Sequence, residues 1–335
     1  MGHRKQSAPR RGSVAFLPRK RASSMVARIR FWPTIESQQP KPLGFACYKA
    51  GMTQVVVLDN AENSPTKGKE IVFPVTILEA PPLFVLGARV YGNSYSGKTT
   101  KFELMAQNLP THLNRRLKGI DKMEKAQTPS LSADSISPDD EIRLIVCTQP
   151  HLAGIGNRKP DIFEIKVDGA PMNERIPYVN SILGKELKPE DVFQAGSFVD
   201  AFAISKGKGW AGVVQRYGVK IMDRKSNKTR RGIATMGAKS PSNVMFYVPR
   251  GGQMGLHNRF VRNLQVMKMG KGEEQINLRG GFIRYGLIKS NYIILKGTVP
   301  GPAKRLVKLR VSTRREPVKE APIITHLSLV SQQGV

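Results

Sequence analysis

The sequence predicts a mainly β protein: a barrel or sandwich body with a small helical insertion, a basic N-terminal arm and a long basic internal loop. Three observations carry this prediction. From residue 43 onward, short runs rich in Val, Ile, Phe and Tyr recur between Gly, Pro or Asn, too closely spaced for βαβ units. With 335 residues, 40% of them hydrophobic, the chain can bury a proper core. The formal charge of +29 is unevenly distributed. Residues 1–30 carry nine basic and no acidic side chains, 204–272 a net +14 and 296–319 a net +7, so the other 212 residues sum to −1. A nearly neutral body with basic extensions is the pattern of a domain whose arms follow phosphate backbones.

The expected boundaries are 1–42 for a basic N-terminal extension, 43–203 for the first part of the body, 204–272 for the loop, 273–312 for the last strands and 313–335 for a tail. In the arm, proline, glycine and charge forbid a regular element, so alone it is expected to be disordered and to order on RNA. A transit peptide is the alternative, opposed by Pro9, Pro18 and Pro33. Strands are predicted at Leu43–Tyr48, Thr53–Leu58, Ile71–Leu78, Leu83–Tyr91 and Thr99–Met105. A helix over Thr111–Lys125 and a polar loop over Thr128–Asp140 form the insertion at about 110–140. Strands resume at Ile142–Cys147 and Asp161–Val167, followed by a short helix at Met172–Leu183. The last strands are Phe198–Ser205, Gly281–Leu287, Tyr292–Leu295 and Arg305–Val311.

Catalytic and metal chemistry find little support. Cys47 and Cys147 lie in apolar strand contexts and read as buried thiols, with a disulfide as the alternative, and the five histidines are scattered. No paired carboxylates or nucleophile–base set occur at informative spacing, and Asp139-Asp140-Glu141 reads as the end of a solvated loop. No apolar run is long enough to cross a membrane, and the N-terminus has no apolar signal core, so a reducing cytoplasm is expected. Gly92-Asn93-Ser94-Tyr95-Ser96-Gly97-Lys98-Thr99 matches the phosphate-cradling G-x-x-x-x-G-K-[ST] pattern. That pattern works only where a helix opens behind it, and Thr99–Met105 are strand formers. A β-hairpin turn is therefore the reading adopted, with a P-loop NTPase as the alternative.

The loop carries the chemistry. Residues 204–272 hold fifteen Lys or Arg against one acid, Asp223, and eleven of the 31 glycines. Glycines let a backbone approach phosphates closely, and Arg and Lys supply charge-assisted hydrogen bonds. The candidate RNA-binding side chains are Arg4, Lys5, Arg10, Arg11, Arg19, Lys20 and Arg21 in the arm, then Lys206, Lys208, Arg216, Lys220, Arg224, Lys225, Lys228, Arg230, Arg231, Lys239, Arg250, Arg259 and Arg262. The expected tip is Gly237-Ala238-Lys239-Ser240-Pro241, which has no apolar face. Trp210, Tyr217, Phe246, Tyr247 and Phe260 either stack on unpaired bases or tie the loop down; for Trp210 the reading is packing. A free-standing, nonspecific nucleic-acid condensing protein is the second alternative.

Four motifs then carry a family resemblance: Gly2-His3-Arg4-Lys5 through Ser13 with Phe16-Leu17-Pro18-Arg19-Lys20-Arg21, Gly44-Phe45-Ala46-Cys47-Tyr48-Lys49-Ala50-Gly51-Met52-Thr53, Lys206-Gly207-Lys208-Gly209, and Gly251-Gly252-Gln253-Met254-Gly255. In this order they resemble the L-three family of universal large-subunit ribosomal proteins, in its archaeal and eukaryotic form. The resemblance implies a translation-protein-type β-barrel, with an arm and loop that thread through rRNA toward the peptidyl transferase centre. It further implies rRNA binding early in subunit assembly, a structural role with no catalysis and no cofactor, neighbouring large-subunit proteins as partners, and neither a membrane nor a small-molecule substrate. Many relatives in this branch have a tryptophan before the tip proline where this chain has Lys239-Ser240-Pro241, so a phosphate contact replaces stacking in the expectation. Eukaryotic relatives have a histidine in the basic run near Arg230; this chain does not, and no histidine modification is expected there.

Overall fold

The structure is a computed structural model and describes residues 13–35, 37–60, 63–95, 97–118, 136–240, 242–272, 275–314 and 321–331. It divides into two compact units. The body comprises residues from 26 to 203 and from 260 onward, and the basic unit comprises the arm up to residue 25 and residues 204–259.

The strands, in chain order, are β1 (Lys41–Pro42), β2 (Gly44–Leu58), β3 (Glu70–Glu79), β4 (Leu83–Ser94), β5 (Gly97–Met105), β6 (Glu141–Cys147), β7 (Ile162–Asp168), β8 (Glu186–Leu187), β9 (Phe198–Ile204), β10 (Gly207–Ala211), β11 (Gly252–Gly255), β12 (Asn258–Gly270), β13 (Tyr292–Lys296), β14 (Leu306–Val311) and β15 (Ile324–Leu327). In the body, β14, β9, β12, β13, β3 and β2 pair in that order, and a further β14–β2 pairing closes the ring into a barrel. β2 pairs with β14 along its first half, Gly44 to Tyr48, and with β15 along Val55 to Val57. The second sheet runs β1-β7-β6-β4-β5, with β8 also on β4.

β2 joins two segments expected as separate strands. The predicted break at Ala50-Gly51-Met52 is a bulge, where the register against β3 shifts between Lys49 and Gly51. A side chain at Gly51 would place its Cβ 2.6 Å from Phe282 Cδ1, so glycine admits the Phe282 ring. Tyr48, Tyr292, Phe45, Ile77 and Leu78 are among the fully buried side chains of the shared core, each contributing roughly 2 kcal/mol by burial. Helix α1 (Met172–Ile182) buries Met172, Ile176 and Val179 on one face. A smaller cluster of Leu86, Leu109, Leu113 and Cys147 lies beside the second sheet. Both cysteines are free and buried, and burial pushes the Cys147 thiol up to about 12.

Several of the body's buried charges are matched, while Lys308 lies over the Phe163 ring at 4.2 Å. Arg310 donates to Asp200 at 2.5 Å, and the other Asp200 oxygen accepts from the Asn263 amide at 3.0 Å. Glu79, fully buried, accepts from the amides of Gly154, Lys289 and Ser290 at 2.7–3.0 Å and from the Tyr285 hydroxyl. On the second sheet Arg89 bridges Glu103 and Glu164, while Arg143 bridges Glu141 and Glu164.

Several expectations change. Gly281–Leu287 is not a strand: a tight turn bonds Phe282 to Gly286, and it serves the Glu79 site through Tyr285. Thr111–Arg115 is a single 3-10 turn, residues 116–118 are not helical, and the remainder of the predicted helix, 119–125, lies outside the described residues. Of the polar loop at 128–140, only 136–140 is described. Asp140 is not solvated; it is buried, accepts from the Ser137 amide at 2.9 Å and pairs with Lys101 at 2.8 Å. The Gly92–Thr99 motif forms a β4–β5 hairpin pairing Gly92 with Thr99 and Asn93 with Lys98, and Lys98 is held by Glu141. No helix follows Thr99 to present amides to a phosphate, which removes the NTPase alternative. Residues 258–270, expected as the end of the loop, form β12, because Leu264, Val266 and Met267 have core to fill. No helix among the described residues is long and apolar enough to cross a membrane.

Candidate nucleic-acid interface

The basic unit is built on a short antiparallel neck. β10 pairs with β11, Gly207 opposite Gly255 and Ala211 opposite Gly252. Gly255 adopts a φ of 72°, and a Cβ there would lie 2.0 Å from the Lys206 carbonyl oxygen, so the close strand approach requires glycine. A short helix, α2 (Val213–Tyr217), follows β10 and ends at Gly218 in the left-handed conformation.

Arg216, at the end of α2, fastens the neck. Its guanidinium donates to the carbonyls of Gln253 and Arg250 at 3.0 Å each and of Arg19 at 2.7 Å. Arg19 returns a bond to the Arg216 carbonyl at 2.5 Å and lies over the Tyr217 ring at 4.1 Å. Beyond Arg19, Ala22 donates its amide to Leu256 at 2.8 Å. The described part of the arm is therefore tied to the neck by the protein itself. Read in isolation the arm has no partners; they come from residues more than 190 positions away.

His257 sits at the centre of this junction. Its Nε2 accepts from the Gly255 amide at 3.1 Å, leaving Nδ1 to donate to the Lys20 carbonyl at 3.0 Å. Burial, together with nearby Arg259, Arg216 and Arg19, holds its pKa below the ordinary histidine value, with the Lys20 bond opposing. Sequence reading passed over this residue as one of five scattered histidines; its place two residues after a glycine of the neck was the available signal.

The remaining candidates fall into three groups. Lys20, Arg21, Lys206, Lys208, Lys220, Arg224, Lys225, Lys228, Arg230, Arg231, Lys239 and Arg250 are exposed. Arg19, Arg216 and Arg259 are half-buried, Arg259 over the Phe16 ring at 5.1 Å. Arg262 is exposed on β12, over Phe260. Arg4, Lys5, Arg10, Arg11 and Pro241 lie outside the described residues, while Gly237, Ala238, Lys239 and Ser240 are exposed. Among the described residues between 219 and 249 the backbone has no regular element, and a Met222–Arg230 amide-to-carbonyl bond of 2.9 Å closes one lobe. The aromatics divide. Phe260 stacks on Phe202 at 5.6 Å and so belongs to the barrel. Trp210, expected to pack, is 82% exposed, and Phe246 is 80% exposed; Gly209 before Trp210 and Gly251 beside its ring offer no side chains to cover it.

A dense, exposed set of cations on a glycine-rich backbone, with a single acid across 204–259, presents a surface for a polyanion. A family model described as Ribosomal protein L3 matches residues 1–332. The chain belongs to that family. Its relatives include proteins named large ribosomal subunit protein uL3 from three archaea. The Methanopyrus kandleri protein is 42% identical, over 100% of this chain and 94% of that protein. The Pyrobaculum arsenaticum protein is 44% identical over 97% of each chain. The Methanocaldococcus jannaschii protein is 43% identical over 97% of this chain and 98% of its own. These relatives lie on the archaeal side of the branch that the N-terminal motif suggested.

Proposed function

We infer that this protein is a structural constituent of the large ribosomal subunit that binds rRNA, with neighbouring large-subunit proteins as its other partners. It is not an enzyme, and it works in the cytoplasmic ribosome. Family membership along nearly the whole chain carries this reading, and the exposed cations of the basic unit supply its physics. The body contributes a folded scaffold braced by buried ion pairs, with a lower charge density than the basic unit. The arm and the loop neutralise phosphates where RNA helices crowd together, which favours tertiary packing of rRNA early in assembly. The loop, with Lys239 near its tip, reaches toward the peptidyl transferase centre. Each exposed Lys or Arg contributes modestly, because phosphate contacts are many and position rather than specify.

The test is binding of the purified chain to large-subunit rRNA across a salt series, with duplex DNA and an unrelated structured RNA as competitors. A complex that survives competition is the expected result; equal competition by all three would favour the nonspecific condensing alternative. A truncation companion to this test must stay within 219–249, because removing 218–268 would delete most of β12 from the barrel.

A further inference from the structure

Two cavities of the basic unit share a wall made by Arg19 and Arg216. On one side lies a groove of about 560 Å³ lined by Val14, Leu17, Tyr217, Val244, Met245 and Phe246. On the other lies a pocket of about 290 Å³ lined by Lys206, Lys208, His257 and Arg259. The wall is fixed rather than free to follow a ligand: Arg216 is committed to three backbone carbonyls and Arg19 to one carbonyl and the Tyr217 ring. An apolar, aromatic groove thus opens on the most cationic part of the chain, where 204–259 carries twelve Lys or Arg against Asp223. Phe246 stands 80% exposed at this groove, with Tyr247 edge-on to it at 5.8 Å.

We propose that this pair of cavities seats one unpaired nucleotide of the bound RNA, its base in the groove against Phe246 and Tyr217 and its backbone phosphate in the pocket of Lys206, Lys208 and Arg259. A ligand that is flat and aromatic at one end and anionic at the other matches both sides of the wall. A fully paired helix matches only the cationic side, since its bases are stacked away from an aromatic surface. An apolar peptide matches only the groove. This inference rests on the rRNA reading and adds to it the kind of RNA feature recognised.

The test uses the full chain and three RNA hairpins that are fully paired, carry a one-nucleotide bulge, or carry the same bulge without its base. The expected result is roughly tenfold tighter binding to the base-bearing bulge than to the abasic one. Phe246→Ala, at an exposed position that leaves the fold intact, should abolish that difference and keep the salt dependence. Lys206→Ala with Lys208→Ala should lower the salt slope by roughly 1.4 to 1.8 and keep the base preference. A photocrosslinking amino acid at position 246 in native subunits should label an rRNA base. Equal affinity for the base-bearing and abasic bulges, or crosslinks to protein alone, would overturn the nucleotide seat and leave salt-dependent RNA binding, and with it the rRNA reading, standing. Absence of salt-dependent binding to any hairpin or to rRNA would overturn both.

Discussion

The body and the basic unit use the same side chains for opposite purposes. In the body, several arginines and lysines are matched to acids: Arg310 to Asp200, Arg89 and Arg143 to Glu164, Lys166 and Arg175 to Asp168, although Lys49 is held by the Val299 and Gly301 carbonyls and Lys308 by the Phe163 ring. In the basic unit, the cations that hold structure do so without acids, through backbone carbonyls and aromatic rings, as Arg216 and Arg19 do. A carbonyl accepts a strong hydrogen bond from a guanidinium without cancelling its charge. The unit therefore holds its own neck together and still presents its full positive charge to a polyanion. Ion pairs brace much of the body, whereas the neck of the basic unit is fastened without them.

The comparison breaks most visibly at Asp200. Asp200→Ala leaves Arg310 buried without its partner and should cost about 3–5 kcal/mol of body stability, read by urea unfolding of the purified chain, with no change in the salt slope of RNA binding. An unchanged midpoint would mean that the body does not depend on charge matching.

A smaller effect is expected at the neck. Arg216→Ala removes bonds to three carbonyls and should lower the opening free energy of the neck by about 2 kcal/mol, seen as faster exchange at the amides of Gly218 and Leu256, while the body's unfolding midpoint stays in place. A matching fall in the body would show that the two units do not have separate stabilities.

The smallest effect sharpens the contrast through pH. His257 has its pKa lowered in the folded chain, so the unfolded state binds the proton more readily. Its contribution to the neck is complete above the ordinary value of 6.5 and is lost as pH falls through the lowered folded value. Protonation at Nε2 would also abolish acceptance from Gly255. Exchange of the Gly255 amide, corrected for its intrinsic pH dependence, should accelerate as pH falls below the ordinary histidine value and through the lowered folded one, and His257→Gln should flatten that response.

Much of the body was legible because strand residues announce themselves locally. The runs 71–78, 83–91, 99–105 and 142–147 all lie within strands, and the hairpin at Gly92–Thr99 follows from what comes after it. What escaped depends on distant partners. Gly51 reads as a turn until Phe282 is known to press against it, and Gly281–Leu287 reads as a strand until Tyr285 is seen to bond Glu79. At the interface, composition located the cations but could not separate those that face outward, such as Lys206 and Arg230, from those that fasten the neck, such as Arg216. Nor could it find the groove, whose walls come from residues 14–17, 217 and 244–246.

The closure of the barrel also bears on how the chain is made. β2 emerges from a translating ribosome long before its barrel neighbour β14, which is encoded at 306–311. The ring cannot shut until β14 has emerged too, and pairings of such long range form slowly. In the last part of that interval, while residues 260–311 are still being made, residues 204–259 are already synthesised and carry their full charge before the scaffold is complete. Any polyanion within reach then competes with barrel closure for the nascent chain, so the timing of release sets which of the two is met first.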